Sequence, residues 1–415
     1  MSRIAFFCIP AHGHTNPTLE VVKELIRQGH EVRYYSYECM KEKIVATGAE
    51  YISCDEYDYE QKLTPADGKR IAEDMAFAVE VLVNSTLAMD AALLEQIKQW
   101  KPDCIVADSM ALWGKLIAKK LNVPFVSSTT TFAFNKQSAQ VMQGSLKDLF
   151  KVILQMGKAK KHLKRLQEKG YIIKSALEII QNDNDTNTIV YTSPEFQPFA
   201  ESFSDKYAFV GPSIRPAETT FEKTREKLIY ISMGTVNNDM TTFYKNCIDA
   251  LGSSDYQVVI SVGNQVDIKL LEGYAASSNS KAEFCILPYV DQIAVLQKAD
   301  AFLTHCGMNS VSEALYFKVP LVMYPQTNEQ KGVAFRVDEL GAGLYLTDET
   351  VMGIQTAFHE VIQNEMYQKH ASEINDSFVG CGGCKKAVEK IVERSIASVA
   401  SSVALTRIIP TKMNL

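Results

Sequence analysis

Residues 299–326 read ADAFLTHCGMNSVSEALYFKVPLVMYPQ. An apolar run of strand length breaks into small and polar residues at His305, Gly307, Asn309 and Ser310. A helical stretch then leads to a second apolar run ending at Tyr324. Strand, loop, helix and strand at this spacing make a right-handed crossover between parallel strands. The loop delivers donor-rich residues to the start of a helix, where backbone N–H groups stand unsatisfied and a phosphate can sit.

Working outward, the same alternation fills the chain. KLIYISM (227–233), YQVVISVG (256–263) and EFCIL (283–287) read as strands of the second half. RIAFFCI (3–9), EVRYYSY (31–37), DCIVAD (103–108), PFVSST (124–129) and TIVYTS (188–193) read as strands of the first. Between the first two lies NPTLEVVKELIRQGH (16–30), with Leu19, Val22 and Ile26 on one helical face and Gly29 placed to stop it. The stretch from Val210 to Lys227 carries two prolines, a glycine and many polar residues and reads as a linker. The expected architecture is α/β, two Rossmann-like doubly wound domains facing across a cleft. The expected boundaries are 1–212, a linker at 213–226 and 227–384, with a closing helix at 385–400 packing back on the first domain. Residues 60–100 and 135–185 read as helical insertions. The basic piece KAKKHLKRLQEKG (158–170) reads as a solvated amphipathic helix with Leu163 and Leu166 turned inward.

Composition narrows the class. A chain of 415 residues suits two domains, and 46% hydrophobic with 22% charged residues is that of a soluble enzyme. A formal net charge of −6 argues against nucleic-acid binding, which calls for a concentrated basic surface. No export signal is expected from the opening IAFFCIP, and no run approaches the length of an integral membrane segment. Nine scattered cysteines form no framework and read as reduced, which places the chain in the cytoplasm.

Two constellations carry chemistry. In IPAHGHTNPTLEVVKEL (9–25) a strand ends near Ile9, a tight turn holds His12 and His14, and a helix is expected to begin around Pro17. A loop histidine is usually a hydrogen-bonded structural residue, and it becomes a candidate base when a partner steadies the imidazolium. Asp108 ends another strand on the same sheet edge and supplies that carboxylate, or else serves as a plain helix N-cap. The second constellation joins His305 and the N–H groups of Gly307 to Ser310 with Thr235, Glu313, Glu329 and Gln330, a set suited to a diphosphate, a ribose and sugar hydroxyls.

At this point PYVDQIAVL (288–296) followed by the opening segment through PQTNEQ resembles the nucleotide-sugar signature of the UDP-dependent glycosyltransferases with the GT-B fold. PAHGHTNPTLEVVKELIRQGHEV (10–32) is similar to the amino-terminal motif of that superfamily's bacterial macrolide glycosyltransferase branch. The resemblance implies an inverting, metal-independent hexosyltransferase moving glucose from a UDP-sugar to a hydroxyl of a hydrophobic acceptor. His14 stands where the family has its base and Asp108 where it has the supporting carboxylate. His305, Gly307, Asn309 and Ser310 stand at the pyrophosphate, Glu313 at the ribose, and Glu329 with Gln330 at the donor sugar. Tyr289 and Gln292 stand where the nucleobase is stacked and hydrogen-bonded, and Thr235 adds a hydroxyl at the phosphates. Three departures from the motif are Tyr289 for the stacking tryptophan, Asp291 for the following proline and Met308 for a second tryptophan; Glu329 also replaces the commoner aspartate. Phe77, Phe132 and Phe134, with Met75, Met142 and Phe150, are the expected apolar lining of an acceptor pocket. The expected partners are a UDP-sugar co-substrate and a small-molecule acceptor, with no cofactor, and the expected state is a monomer or weak dimer. A UDP-sugar epimerase and a non-catalytic nucleotide-sugar-binding protein are the rival classes on such a fold.

Two motifs are set aside. Asp183-Asn184-Asp185 mimics a metal-binding Asp-x-Asp but lies in a polar stretch and reads as a turn. Cys381-Gly-Gly-Cys384 has no second pair or histidine nearby, and its glycines suit a helix start better than a metal or redox site.

Overall fold

The computed structural model describes residues 1–57, 70, 74–135, 137–138, 160–173, 182, 184–234, 240–278 and 280–406. They divide into two compact units. The first comprises Met1–Tyr191, Phe199–Ser213 and Cys381–Leu415, the second Thr192–Pro198 and Ile214–Gly380.

In the first unit the chain runs β1 (Arg3–Phe7), α1 (His12–Arg27), β2 (Glu31–Ser36), α2 (Lys41–Val45), β3 (Glu50–Ser53), α3 (Met75–Trp100), β4 (Cys104–Asp108), α4 (Leu112–Leu121), β5 (Phe125–Thr129), β6 (Thr188–Val190) and β7 (Tyr207–Phe209). The strands form one parallel sheet in the order β3-β2-β1-β4-β5-β6-β7. Its central strands are apolar along their length; all five residues of β4 are buried. That is the pattern of a parallel sheet covered on both faces. Helix α1 turns Val21, Val22 and Leu25 fully inward, with Leu19 and Ile26 flanking them. Gly29 follows with φ +84°, a left-handed closure that only glycine adopts without strain. Leu163 and Leu166 point into a second cluster with Val79, Val83 and Leu116.

The second unit runs β8 (Lys227–Ser232), α5 (Thr241–Leu251), β9 (Tyr256–Ser261), α6 (Ile268–Ser277), β10 (Glu283–Leu287), α7 (Gln292–Leu296), β11 (Ala301–Thr304), α8 (Met308–Tyr316), β12 (Leu321–Met323), α9 (Asn328–Glu339), β13 (Gly343–Tyr345), α10 (Val351–Gln363) and α11 (Glu365–Gly380). Its sheet is also parallel, ordered β10-β9-β8-β11-β12-β13. The last helix, α12 (Gly383–Thr406), returns to the first unit. Its Ala387, Val388 and Ile391 are fully buried in the core that holds Ile4, Phe6 and Val22.

In each sheet the strand order reverses once, between β1 and β4 in the first unit and between β8 and β11 in the second. Open α/β sheets bind ligands in the crevice outside the carboxyl ends of the strands at such a switch point. His14 and Asp108 of the first constellation, and His305 to Ser310 of the second, follow the strands at these two places. Among the described residues no single helix is long and apolar enough to cross a membrane; the bent pair 76–90 and 92–100 passes that test only when its halves are taken together.

Candidate active site

The first switch point brings His14 to Asp108. The helix after β1 begins at His12, five residues earlier than its proline signalled, so His14 lies in the first turn of α1 and Pro17 lies inside the helix. The usual start signal is missing, because Ala11 at the N-cap has no side chain to accept a backbone N–H. Pro17, the sixth helical residue, lacks the N–H that would reach the Gly13 carbonyl, so the helix gives up one bond of its ladder there.

His14 Nδ1 lies 2.8 Å from Asp108 Oδ2 and 3.2 Å from Thr130 Oγ1. The other carboxylate oxygen, Oδ1, accepts the Met110 N–H at 2.8 Å. The Asp108 side chain is fully buried, while that of His14 keeps 22% exposure. Asp108 therefore closes an Asx turn and partners the imidazole at once, one oxygen to each task; it is not the N-cap of α4, which is Ala111. A carboxylate beside Nδ1 holds the proton there and turns the lone pair of Nε2 outward, the arrangement of an oriented base. His12 takes no part. It is exposed, its Nδ1 lies 3.3 Å from Lys43 Nζ, and partial burial with that ammonium holds it below the usual histidine range.

The second switch point gathers most of the other group. Cys306, between His305 and Gly307, has φ +66°, a left-handed turn unusual for a residue with a side chain. The turn folds His305 back between two glycines. A Cβ on Gly234 would lie 2.7 Å from its Cε1 and Nε2, and one on Gly307 2.7 Å from Nε2. Burial lowers the His305 pKa to about 4, the Ser232 backbone offsetting it only in part, so the ring is neutral at pH 7. Gly307 is the N-cap of α8, with Asn309 and Ser310 in the first turn. Gln292 Nε2 donates to Glu313 Oε2 at 2.5 Å and to Ser310 Oγ at 3.4 Å, and the Tyr230 hydroxyl donates to Gln292 Oε1 at 3.2 Å. Burial raises the Glu313 pKa, with the Gln292 amide and Arg215 pulling the other way. Tyr289, 53% exposed, stands at the rim three residues before Gln292.

Comparison with known proteins fits this geometry. Residues 214–376 match the family model "UDP-glucoronosyl and UDP-glucosyl transferase". An uncharacterized UDP-glucosyltransferase of Bacillus subtilis (strain 168), YojK, is 33% identical over 407 residues, spanning 95% of this chain and 97% of the relative. The chain belongs to this family. A demethyllactenocin mycarosyltransferase of Streptomyces fradiae is 26% identical over 409 residues, covering 94% of this chain and 86% of its own. Among solved structures, the glycotransferase of kitacinnamycin superposes with a TM-score of 0.80 at 24% identity, over 95% of this chain and 98% of that one. The fold is thus that of the GT-B glycosyltransferases.

The remaining expected residues of this UDP-glycosyltransferase are placed less evenly. Glu329 and Gln330 lie in the first turn of α9 rather than at a strand end, and Glu329 is exposed. The Gln330 side chain is committed to a capping box. Its Oε1 accepts from the Gln326 and Thr327 N–H groups at 2.8 and 3.1 Å, while Thr327 Oγ1 accepts the Gln330 N–H. That leaves the NH2 group as the end of the amide that the capping box does not use. Thr235, Met142 and Phe150 lie outside the described residues, as does the Met75 side chain. Phe132 is buried and Phe134 half-buried on the segment just after Thr130. Phe77, near the start of α3, has the Arg70 guanidinium 3.8 Å over its ring. Asn184 and Asp185 form a turn, and Asp183 lies outside the described residues. Cys381 and Cys384, around the start of α12, form no disulfide.

Three residues of the site carried no local signature. Thr130 follows β5 within reach of His14, and only its place after a strand on the Asp108 edge hints at it. Tyr230 reads as a core residue of β8, which it is apart from its hydroxyl. Arg215 reads as linker, yet its Nη2 pairs with Asp291 Oδ1 at 2.6 Å.

Proposed function

We propose that this transferase moves a hexose, glucose by preference, from a UDP-sugar to a hydroxyl of a hydrophobic small molecule, with inversion and with His14 as the base. The observation that carries the reading is the 2.8 Å contact between His14 Nδ1 and the buried Asp108 carboxylate at the first switch point. Nε2 takes the proton of the acceptor hydroxyl as its oxygen attacks the anomeric carbon from the face opposite the diphosphate. The bond from that carbon to the diphosphate oxygen breaks, and UDP leaves with the electron pair. Asp108 stabilises the imidazolium formed on the way.

The second unit supplies the donor side of the reading. Negative charge growing on the leaving diphosphate meets the N–H groups at the start of α8 and the positive end of that helix. His305, kept neutral by burial before the donor arrives, offers a ring N–H to the diphosphate. On this reading no divalent cation is needed. Glu313 and Gln292 receive the ribose and base, and Tyr289 offers an exposed ring on which uracil stacks. The Gln330 NH2 group and the Glu329 carboxylate face the sugar hydroxyls. Phe132 and Phe134, beside Thr130, line the acceptor's apolar part. Nine cysteines, none in a disulfide, suit a reducing compartment, which supports a cytoplasmic reading.

The test is incubation with UDP-glucose, in EDTA, with a panel of phenols and macrolides, followed by chromatography and mass detection. Products heavier by one hexose are expected, together with loss of most turnover but little UDP affinity in His14→Ala. A wild-type rate in that variant removes His14 from the role. UDP-sugar isomers formed without acceptor move the chain to the epimerase class.

A further inference from the structure

The loop from Pro288 to Gln292 is pinned from two sides, and only the inner side belongs to the machinery described above. Inward, Gln292 is held by Tyr230, Ser310 and Glu313. Outward, Asp291 occupies the N-cap position of α7 but caps nothing with its side chain. Its carboxylate is diverted to the segment 215–219. Oδ1 pairs with Arg215 Nη2 at 2.6 Å, and Oδ2 accepts the N–H groups of Glu218 and Thr219 at 2.6 and 2.9 Å. The side chain of Asp291 is 6% exposed and that of Arg215 35%, so a buried carboxylate meets a half-buried guanidinium from 76 residues away. Arg215 is itself oriented, through Nη1 to the Pro216 carbonyl at 2.9 Å. On the other flank the Pro288 carbonyl accepts the Gly263 N–H at 2.9 Å and the Ser261 hydroxyl at 3.3 Å, and between Pro288 and Asp291 Tyr289 presents an exposed ring.

An exposed aromatic face on a loop fixed at both flanks is a preorganised platform for a planar ligand. Holding it in place before binding removes an ordering cost that the ligand would otherwise meet. We infer that Arg215 and Asp291 form a positioning clamp for the nucleobase platform, setting affinity for the base-bearing part of the donor and leaving the diphosphate site and the acceptor site untouched. The inference rests on the nucleotide reading of Tyr289 and Gln292. It assigns a binding role to a residue of the apparent linker. Neither Arg215 nor Asp291 is required to touch the ligand.

The experiment compares wild type with Arg215→Met, Asp291→Asn and the conservative Arg215→Lys. UDP binding is measured by calorimetry and inhibition by inorganic pyrophosphate in the transfer assay, with circular dichroism to show that each variant is folded. The clamp predicts UDP dissociation constants on the order of tenfold higher in Arg215→Met and Asp291→Asn, the scale of re-ordering one or two loosened loop residues. Pyrophosphate inhibition and the acceptor KM stay at wild-type values, and Arg215→Lys recovers part of the loss. Equal weakening of UDP and pyrophosphate marks a general structural effect and overturns the proposal, as do variants that bind UDP within twofold of wild type. Wild-type protein that binds no UDP removes the nucleotide reading first, and the clamp with it.

Discussion

Replacing Asp108 separates what its charge does from what its geometry does, because asparagine and alanine disturb His14 in different ways. In Asp108→Asn, the amide oxygen keeps the Met110 N–H, which asks for an acceptor at 2.8 Å. The NH2 group then faces Nδ1, which must accept, so the proton moves to Nε2 and the base loses its lone pair. That outcome forfeits the full general-base contribution, about 100- to 10,000-fold. In Asp108→Ala nothing donates to Nδ1, and Thr130 Oγ1, already 3.2 Å away, can accept its N–H. The tautomer survives and only the charge-assisted part of the bond is lost, about 1.5 kcal/mol or roughly tenfold. Asparagine, the closer isostere, is therefore expected to be the more damaging substitution. Single-turnover rates with saturating donor, measured for both variants and for Asp108→Ala combined with Thr130→Val, test this. The double variant should fall toward the asparagine rate. An asparagine variant faster than the alanine one refutes the tautomer argument.

Three further outcomes follow from packing and burial. Gly234→Ala places a methyl 2.7 Å from the His305 ring at a φ of +79°. It should cost about 1–3 kcal/mol in stability and weaken UDP binding, read by thermal melts with and without UDP. Gly114→Ala, whose Cβ would meet that of Ala107 at 2.5 Å and that of Phe7 at 3.1 Å, presses α4 off the sheet beneath His14. A loss of about 1–3 kcal/mol in unfolding free energy, read as a lower urea midpoint, is expected, with the UDP dissociation constant unchanged. His305 titrates near 4 when folded against an ordinary 6.5, so between those values the unfolded chain binds more protons. Its contribution is complete above pH 6.5 and is lost as pH falls toward 4, by about 1.4 kcal/mol per pH unit. Urea unfolding from pH 7 to 4.5 should show a shallower pH slope in His305→Gln than in wild type.

The strands legible in the sequence are those with apolar runs, and all of them except the edge strand β10 lie inside their sheets. β3, β7 and β13 escaped notice because they are three or four residues long and lie at sheet edges, where neither burial nor length imposes a pattern. The start of α1 differs from the expected one because proline is a stronger signal than an uncapped alanine. His14, Asp108, His305 and Glu313 were visible as polar residues placed where an apolar run ends. Thr130, Tyr230 and Arg215 were not, since each acts through a partner 60 or more residues away and looks ordinary among its neighbours.

The helix Gly383–Thr406 has a consequence for how the molecule is made. Its Val388 and Ile391 fill the first unit's interior at about 1.5–3 kcal/mol each, yet they leave the ribosome after the whole second unit has been synthesised. The later-encoded globule can close before the earlier one is sealed, so biosynthesis runs against the usual amino-terminal-first order. A gene fragment ending at Ser213 should yield an aggregation-prone product, and supplying the missing segment as a separate peptide should restore it to solution.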